Sequence, residues 1–253
     1  MNDMVITELW RYPVKSMQGE RVEAVHCDAA GFVGDRRWGL VTPEGYVLSG
    51  KSEPRILDAT ASTRADGEIE LTLPHGVRTA SDDPDVDAYL TAWLDRTVRL
   101  HCAGADDQFI IHHQLDVDDP SKTIDFPTPK GAYFDSRSTL HLLSDASLRA
   151  ARALYPAGEW DARRFRPNLV VALDVDGFAE ESWVERTVSL GGVEVLVRKV
   201  TDRCVLTTRA QPGLRRDLDI YKTLSRHNAC VLGVYLVAQT AGTISVGNKI
   251  SFK

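Results

Sequence analysis

Hydrophobic and polar positions alternate over much of the first hundred residues, which is the pattern of half-buried β-strands. The segments VITELWRYPV and RVEAVHCD alternate in this way, and RRWGLVTPEGYVLS predicts two strands joined by a Pro-Glu-Gly turn. GEIELTLP predicts a further strand. In DDPDVDAYLTAWLDR the apolar residues recur at helical spacing after a proline, which predicts a helix. With a strand in TVRLHC, these elements indicate a small, antiparallel, barrel-like unit.

The second half of the chain mixes strand and helix patterns without repeating the first half. STLHLLS predicts a strand that ends at Ser144, a residue suited to cap the helix that follows. RRFRPNLVVAL combines a basic cluster, a proline and an apolar strand, and TVSLGGVEVLVRKVTDRCVLTT predicts a hairpin about Gly191 and Gly192. The C-terminal segment predicts two strands about Ala241 and Gly242. The predicted fold class is therefore α+β, with mostly antiparallel, barrel-like β units and a few helices.

A loop-rich stretch from Ala103 to about Gly131 separates the two halves in the sequence pattern. It contains the acidic segment DDQFIIHHQLDVDDP. We therefore predict an N-terminal domain over residues 1–104 and a second domain over residues 105–253.

Composition indicates a globular protein and argues against nucleic-acid and membrane partners. The chain has 253 residues, of which 43% are hydrophobic and 26% charged, so it can bury a sizeable core. Its 30 basic and 36 acidic residues give a net charge of -6, which argues against a nucleic-acid partner. The N-terminal segment lacks the pattern of a signal peptide, and no apolar run reaches about 18 residues. We expect a soluble, cytoplasmic protein without a membrane partner.

The four cysteines are widely scattered, which suits neither a disulfide scaffold nor a paired-cysteine metal site. Cys27, Cys102 and Cys230 are interpreted as small buried hydrophobic residues. Cys204 differs because it follows Arg203 directly at a predicted strand end, in VTDRCVLTTRAQPG. Its position therefore calls for a separate explanation.

Several common catalytic motifs are absent from the sequence. No G-x-G-x-x-G opens a helix, and there is no Walker lysine, which argues against a nucleotide-binding fold. No G-x-S-x-G or H-E-x-x-H occurs. His112, His113 and His141 lack partners at zinc-ligand spacing, so they are interpreted as structural or surface residues.

Cationic and hydroxyl residues occur at predicted strand ends in four places. They are Lys15 and Ser16 after YPV, Arg36 and Arg37 in GDRRW, Arg164, Arg166 and Asn168 in RRFRPN, and Arg203 beside Cys204. Arginine forks suit phosphate, so these clusters could converge on one anionic ligand. Four unrelated surface salt bridges would give the same pattern. The residues alone leave both interpretations open.

Taken in order, a series of segments resembles one family. YPVKSMQGE, GFVGDRRWGLVTPEGYVLSGKSEPRI, HLLSDASL, RFRPNLVV, FAEESW, DRCVLTT and GTISVGNKI are similar to segments of the MOSC family, the molybdenum-cofactor sulfurase C-terminal domain. The resemblance runs from about Val5 to Ile250. It is strongest to the subgroup with an N-terminal MOSC β-barrel domain, which includes the mitochondrial amidoxime-reducing component and its bacterial relatives.

The resemblance implies a mononuclear molybdenum cofactor bound between the two β units. Cys204 would be the protein ligand to molybdenum of a pterin-dithiolene (molybdopterin), and soft sulfur beside a cation suits that role. The residues implied to line the cofactor are Lys15, Ser16 and Arg36 at the phosphate end, Ser138, and Arg166, Asn168 and Arg203 around the pterin. Asp202 is a catalytic candidate, and both Asp202 and His227 are proton-donor candidates, the alternative being ordinary polar residues.

The chain departs from the family pattern at three places. Asp202 stands before the Arg-Cys pair where relatives often carry a small hydroxyl residue. The terminal turn reads VGN instead of VGD, and TRAQPGLRRDLDIYKTLSRHN replaces the commoner VDPxTG continuation. Because the latter segment is expected near the mouth of the active site, substrate preference is the property least transferable from relatives.

The resemblance implies an enzyme that reduces N-hydroxylated small molecules, N–OH to N–H. No ferredoxin-like domain or flavin motif is found in the sequence, so we expect electrons from a separate protein: a ferredoxin, a cytochrome b5-like protein or a flavin reductase. The alternative is a molybdenum-cofactor carrier, or a sulfur-transfer module that presents a Cys204 persulfide, without turnover of its own. A domain that has lost the cofactor is a third interpretation, which the intact Cys204 and RFRPN disfavour.

Overall fold

The computed structural model describes residues 4–114, 119, 121–131, 133 and 139–253. The chain divides into two compact units, each built from discontinuous segments. Unit 1 comprises Met1–Trp10, Arg21–Val33 and Arg137–Lys253, and unit 2 comprises Arg11–Glu20 and Gly34–Ser136. The predicted domains are continuous instead, and their boundary after residue 104 stays a prediction.

The described residues form mostly antiparallel sheets and three α-helices, which confirms the predicted α+β class. The strands are β1 (Val5–Arg11), β2 (Glu20–Val22), β3 (Ala24–Asp28), β4 (Gly31–Phe32), β5 (Trp38–Val41), β6 (Tyr46–Val47), β7 (Thr60–Thr63), β8 (Ile69–Thr72), β9 (Arg78–Ala80), β10 (Arg99–Cys102), β11 (Ile110–Gln114), β12 (Thr123–Pro127), β13 (Leu140–Ser144), β14 (Leu169–Ala172), β15 (Thr187–Leu190), β16 (Val193–Asp202), β17 (Val231–Ala238), β18 (Gly242–Ser245) and β19 (Ile250–Phe252). The α-helices are α1 (Val86–Leu94), α2 (Asp145–Leu154) and α3 (Leu218–His227). None of these helices is long and apolar enough to cross a membrane.

Unit 1 is organised around a sheet with the strand order β19-β15-β16-β17-β13-β14-β1-β2. The β13–β14 pair is parallel, and β18, β3 and β4 form a second, three-stranded sheet. Alternate residues of β16 are buried, among them Val193, Val195 and Val197, and they pack against Leu236 and Leu142 in the main core. The functional segments described below therefore emerge from a rigid, well-packed sheet.

Helices α2 and α3 pack on unit 1 around a second apolar cluster that includes Leu143, Ile220 and Leu232. The N-terminus of α2 is capped as predicted, since the Ser144 side chain accepts a hydrogen bond from the amide of residue 147 at 3.0 Å. Ser144 also donates its amide to the fully buried carboxylate of Glu180 at 3.0 Å. This arrangement fixes the start of α2 at the end of β13.

Unit 2 contains two smaller sheets, with the orders β10-β5-β6-β11-β12 and β7-β8-β9. Its core includes Leu40, Ile56 and Leu71, against which α1 packs Leu90 and Leu94. The helix is followed by the cap residue Asp95, which adopts the left-handed conformation that commonly terminates helices. The apolar spacing that predicted α1 therefore corresponds to its buried face.

The structure differs from the sequence predictions in several elements. The stretch predicted as loop-rich contains β11 and β12, and β12 is largely exposed. RVEAVHCD is interrupted between β2 and β3. The two strands about Ala241 and Gly242 exist as β17 and β18, but β18 pairs with β3 and not with β17. Helix α3 was not predicted.

Candidate functional site

Cys204 lies just beyond the end of β16, in unit 1. It has an extended backbone and precedes the 3-10 helix Val205–Thr208, for which it is the N-terminal cap residue. Its carbonyl oxygen accepts hydrogen bonds from the amide of Thr207 at 3.1 Å and from the Thr207 hydroxyl at 3.0 Å. The side chain is partly exposed. A short, bonded turn thus presents this thiol at the end of a strand, as the sequence indicated.

The other cysteines occupy different environments. Cys27 is fully buried, as predicted, and burial together with the Asp28 carboxylate raises the pKa of its thiol to about 12. Cys27 is therefore a protonated core residue at neutral pH. The interpretation of the remaining two as buried hydrophobic residues was wrong, because Cys102 is exposed at the end of β10 and Cys230 is partly exposed.

Cys230 lies beside the residue that precedes Cys204. Its carbonyl oxygen accepts the Arg203 amide at 2.8 Å, and its sulfur lies 3.7 Å from the Arg203 carbonyl oxygen. Its backbone is left-handed, with φ 65°. Tyr221 of α3 is hydrogen-bonded to Cys230, and this bond, followed by burial, raises the pKa of the phenol to about 12. The turn between α3 and β17 thus brings a second thiol to the Arg-Cys pair, and α3 adds a neutral phenol.

Arg203 extends its side chain into unit 1. Burial lowers the pKa of its guanidinium to about 10, so the group is still a cation at neutral pH. It lies 5.4 Å from the centroid of the Phe165 ring and is hydrogen-bonded to neighbouring segments of the unit. Arg203 is therefore firmly held next to Cys204.

The two arginines of the RRFRPN segment named above, Arg164 and Arg166, lie in different environments. Arg164 ends the 3-10 helix Ala162–Arg164, and its side chain is completely buried. It pairs with Glu159 and donates to several backbone carbonyls, so it serves the fold and not an external anion. Arg166 is 8% exposed and has a left-handed backbone, with φ 53°.

Asn168 is buried at the start of β14 and joins three strands. Its side-chain amide donates to the carbonyl oxygen of Trp10 at 3.2 Å, and its side-chain oxygen accepts the His141 amide at 3.2 Å. Its backbone amide donates to the His141 carbonyl at 2.7 Å. Asn168 therefore locks β14 between β1 and β13, and its predicted contact with a cofactor stays a prediction.

Lys15, Ser16 and Arg36 come together within unit 2. The amide of Lys15 donates to the Trp38 carbonyl at 2.8 Å, so the segment around residue 15 runs beside the segment that follows Arg36. The ammonium group of Lys15 donates to the Tyr133 carbonyl at 2.9 Å. Sequence analysis thus identified residues that share one region of this unit.

Arg36 is held in place by its neighbours. Its guanidinium forms an ion pair with Asp35, and both side chains are largely buried. It also lies 4.7 Å from the centroid of the Tyr12 ring, within the range of a cation–π interaction. Arg36 is therefore a pre-oriented cation.

Three of the predicted site residues share an uncommon backbone conformation. Ser16, Arg36 and Arg166 have φ values of 70°, 51° and 53°. Among the described residues, only five other non-glycine residues have positive φ. Such strain costs roughly 1–3 kcal/mol and concentrates at functional sites. The conformation is therefore independent support for functional roles of these three residues.

The remaining predicted site residues are less informative. Ser138 lies outside the described residues. Asp202 is largely exposed, and its carboxylate is 3.7 Å from the Lys199 ammonium group. His227 is exposed in the last turn of α3. The proton-donor roles of Asp202 and His227 stay predictions.

Sequence reasoning missed three residues that surround the Arg-Cys pair: His141, Tyr221 and Cys230. His141 is buried, in keeping with its interpretation as a structural residue, but its contact with the Arg203 guanidinium was not foreseen. The residues come from β13, from α3 and from the turn before β17, and no sequence spacing links them. The left-handed backbone conformation of Cys230, a non-glycine residue, also leaves no signal in the sequence.

Comparisons with known proteins identify the family of the chain. The MOSC N-terminal beta barrel domain matches residues 3–92, and the MOSC domain matches residues 129–251. The chain is similar to mitochondrial amidoxime-reducing component 1 of Homo sapiens, with 27% identity over 97% of this chain and 82% of that protein. The Mus musculus protein of the same name is 25% identical over 97% of this chain and 81% of its own length.

The fold is also found among solved structures. The YUAD protein from Bacillus subtilis superimposes with a TM-score of 0.52 and 11% identity, over 98% of this chain and 94% of that one. At this identity the likeness concerns the fold alone. With the two domain matches and the full-length relatives, the comparisons establish that the chain belongs to the MOSC family and carries both a MOSC N-terminal β-barrel domain and a MOSC domain.

Proposed function

We propose that this protein is a molybdenum-cofactor-dependent oxidoreductase that reduces N-hydroxylated compounds, with electrons from a separate redox protein. The observation that carries the proposal is the position of Cys204 within the MOSC domain. Its thiol is partly exposed at a strand end, beside a fixed guanidinium. Cysteine binds metals as the thiolate, and its soft sulfur suits molybdenum.

The residues present fit a metal that arrives with most of its own ligands. In the part of the chain that the structure describes, no group of three or more His, Cys, Asp or Glu side chains could hold a metal ion. A single soft thiolate at Cys204 suits molybdenum whose other sulfur ligands belong to a pterin-dithiolene. Arg166, which is nearly buried and has a left-handed backbone conformation, would bind the anionic cofactor in unit 1. Lys15, Ser16 and Arg36 remain the candidates for its phosphate end.

The bound cofactor would supply the two-electron chemistry of the reaction. In balance, the N–O bond of R–NHOH breaks, two electrons and two protons are consumed, and R–NH₂ and water are formed. The chain's own contribution would be to anchor the metal through Cys204 and to orient the cofactor with cationic groups. The human and mouse relatives are amidoxime-reducing components by name, which supports N-hydroxylated compounds as the substrate class.

Turnover with an artificial electron donor tests this function. Protein purified from a host that makes the cofactor, and reduced with a viologen, is expected to convert an amidoxime or an N-hydroxylated base to its reduced product. The protein should be compared at known molybdenum occupancy, because unloaded chains would mimic inactivity. Loaded protein that is inert toward a broad panel of N-hydroxylated compounds, yet passes cofactor or sulfur to an apo-enzyme, would establish a carrier instead.

Removing either predicted cofactor-binding arginine is expected to weaken cofactor retention. Arg36→Ala and Arg166→Ala each delete a charge-assisted hydrogen-bond donor worth about 1.5–3 kcal/mol. Since 1.4 kcal/mol corresponds to a tenfold change, retention should fall by about tenfold or more in each variant. Molybdenum and pterin content per chain after extensive dilution and gel filtration measure the loss.

Two neighbouring arginines provide matched controls. Arg37→Ala removes a side chain that donates to the carbonyls of residues 103 and 131, and Arg163→Ala removes one that pairs with Asp161. Neither control should alter cofactor content. Because Arg36→Ala also leaves Asp35 without its ion pair, the thermal midpoint of each variant must be recorded. Full retention in folded Arg36→Ala and Arg166→Ala would refute these two assignments.

A further inference from the structure

The side chain of Arg203 joins three separate parts of unit 1. Its Nε donates to the Leu232 carbonyl in β17 at 2.9 Å, and its Nη1 donates to the Phe165 carbonyl at 3.1 Å. Its Nη2 contacts both the Leu232 carbonyl and Nε2 of His141 in β13. The backbone amide of Arg203 is in turn bonded to the Cys230 carbonyl. One residue therefore connects β13, β17 and the turn that leads to β14.

The surroundings of Arg203 are shaped to receive this guanidinium. His141 is 2% exposed, and its ring nitrogen must accept the hydrogen bond because the guanidinium has only donors. Gly233, with φ 80°, leaves room for the contact. A Cβ at this position would lie 2.6 Å from His141 Nε2 and 2.6 Å from the Leu142 carbonyl oxygen. Only glycine fits here without displacing His141 or the strand.

The groups that Arg203 holds are direct neighbours of the proposed cofactor ligands. Phe165 immediately precedes Arg166, and Cys204 immediately follows Arg203. Arg166 is thus one peptide bond from the Phe165 carbonyl that the Arg203 side chain binds. Cys204 is one peptide bond from Arg203, whose backbone amide is bonded to Cys230. All three guanidinium nitrogens of Arg203, Nε, Nη1 and Nη2, already donate to acceptors within the protein.

We propose that Arg203 is a positioning residue, which holds Cys204 and Arg166 in a fixed relative arrangement, and that His141 acts through it as the buried acceptor. This differs from the sequence expectation, in which Arg203 contributes its charge to cofactor binding. The inference rests on the proposed function only in taking Cys204 and Arg166 as cofactor ligands.

Arg203→Lys separates the two roles. Lysine keeps the charge but lacks the planar fork that reaches three acceptors. If Arg203 positions its neighbours, Arg203→Lys should lose cofactor about as severely as Arg203→Gln, by roughly tenfold or more, as is usual for residues that orient metal ligands. If Arg203 acts by charge, Arg203→Lys should retain cofactor and Arg203→Gln should not.

His141 offers a rescue experiment. His141→Gln keeps a side-chain acceptor near the position of Nε2, whereas His141→Leu removes it. We expect His141→Gln to retain cofactor close to the wild-type level and His141→Leu to behave like Arg203→Lys. A merely space-filling role for His141 would give the opposite order, because leucine is the more apolar replacement in this buried position.

Amide hydrogen exchange on the whole chain purified without cofactor tests the positioning role of Arg203 independently of the proposed function. Residues 165–168 and 203–208 should lose protection together in Arg203→Lys and in His141→Leu, but not in His141→Gln or in the Arg163→Ala control. Unchanged protection of both segments in folded Arg203→Lys would overturn the proposal, as would wild-type cofactor content in that variant. If His141→Leu fails to fold, the comparison of Arg203→Lys with His141→Gln still decides the outcome. Absence of cofactor from the wild-type protein would count against the proposed function alone.

Discussion

Replacing Cys204 with alanine is expected to abolish reduction of N-hydroxylated substrates while leaving the fold intact. The side chain is partly exposed, and the turn is held by hydrogen bonds from Thr207 to the Cys204 carbonyl, so removal of the thiol opens no large cavity. Substitution of residues that merely orient metal ligands already costs about 10- to 100-fold. Loss of the ligand itself should exceed this. Viologen-coupled turnover, normalised to molybdenum content, measures the effect.

The other thiols provide the controls for this substitution. Cys102→Ala alters an exposed residue in unit 2 and should leave both activity and stability near the wild-type values. Cys27→Ala alters a fully buried residue and should lower stability without abolishing turnover. Wild-type turnover by a fully loaded Cys204→Ala protein would remove this residue from the mechanism.

Replacing Arg164 with alanine is expected to have the largest effect on stability. Its fully buried guanidinium donates to the carbonyls of Glu159, Arg209 and Arg215 at 2.8, 3.2 and 2.8 Å and pairs with the Glu159 carboxylate at 3.0 Å. Each buried acceptor left without a donor costs about 1–3 kcal/mol, so we expect a loss of at least about 3 kcal/mol. Urea-induced unfolding measures the change in the free energy of unfolding.

Arg163 is the matched control, since it is adjacent, partly exposed and paired with Asp161. Arg163→Ala should cost no more than about 1 kcal/mol, as is typical of exposed ion pairs. Because Arg164 also anchors the segment that follows Cys204, Arg164→Ala should lower cofactor retention in the fraction that folds. Equal stabilities of Arg163→Ala and Arg164→Ala would show that the buried bonds contribute little.

Local signals in the sequence were sufficient for much of the fold. The apolar spacing in α1, the Ser144 cap and the hairpin about Gly191 and Gly192 are short-range features, and each is confirmed. The strand β12 escaped prediction because it is short, nearly all of its residues are exposed, and it lies in a stretch rich in Asp and Pro. The pairing of β18 with β3 joins distant parts of the chain, which periodicity cannot reveal.

In the candidate site, too, some features could be predicted from local sequence signals and others could not. Cys204 could be identified because it adjoins Arg203 in a segment that resembles a family motif. The complete burial of Arg164 could not be foreseen, because a count of basic residues does not show which guanidinium the fold encloses. The contact of His141 with Arg203 spans 62 residues and depends on a glycine at position 233. Only the packed structure shows such a relation.

X-ray absorption at the molybdenum edge tests the central claim most directly, namely that Cys204 is the protein ligand of a molybdenum cofactor. Wild-type protein and Cys204→Ser should be purified from a host that makes the cofactor and compared at equal metal content. The account predicts that the wild-type protein contains molybdenum and that Cys204→Ser has one fewer sulfur neighbour around the metal. Identical sulfur coordination in the two proteins, or a wild-type protein that acquires no molybdenum in such a host, would contradict it.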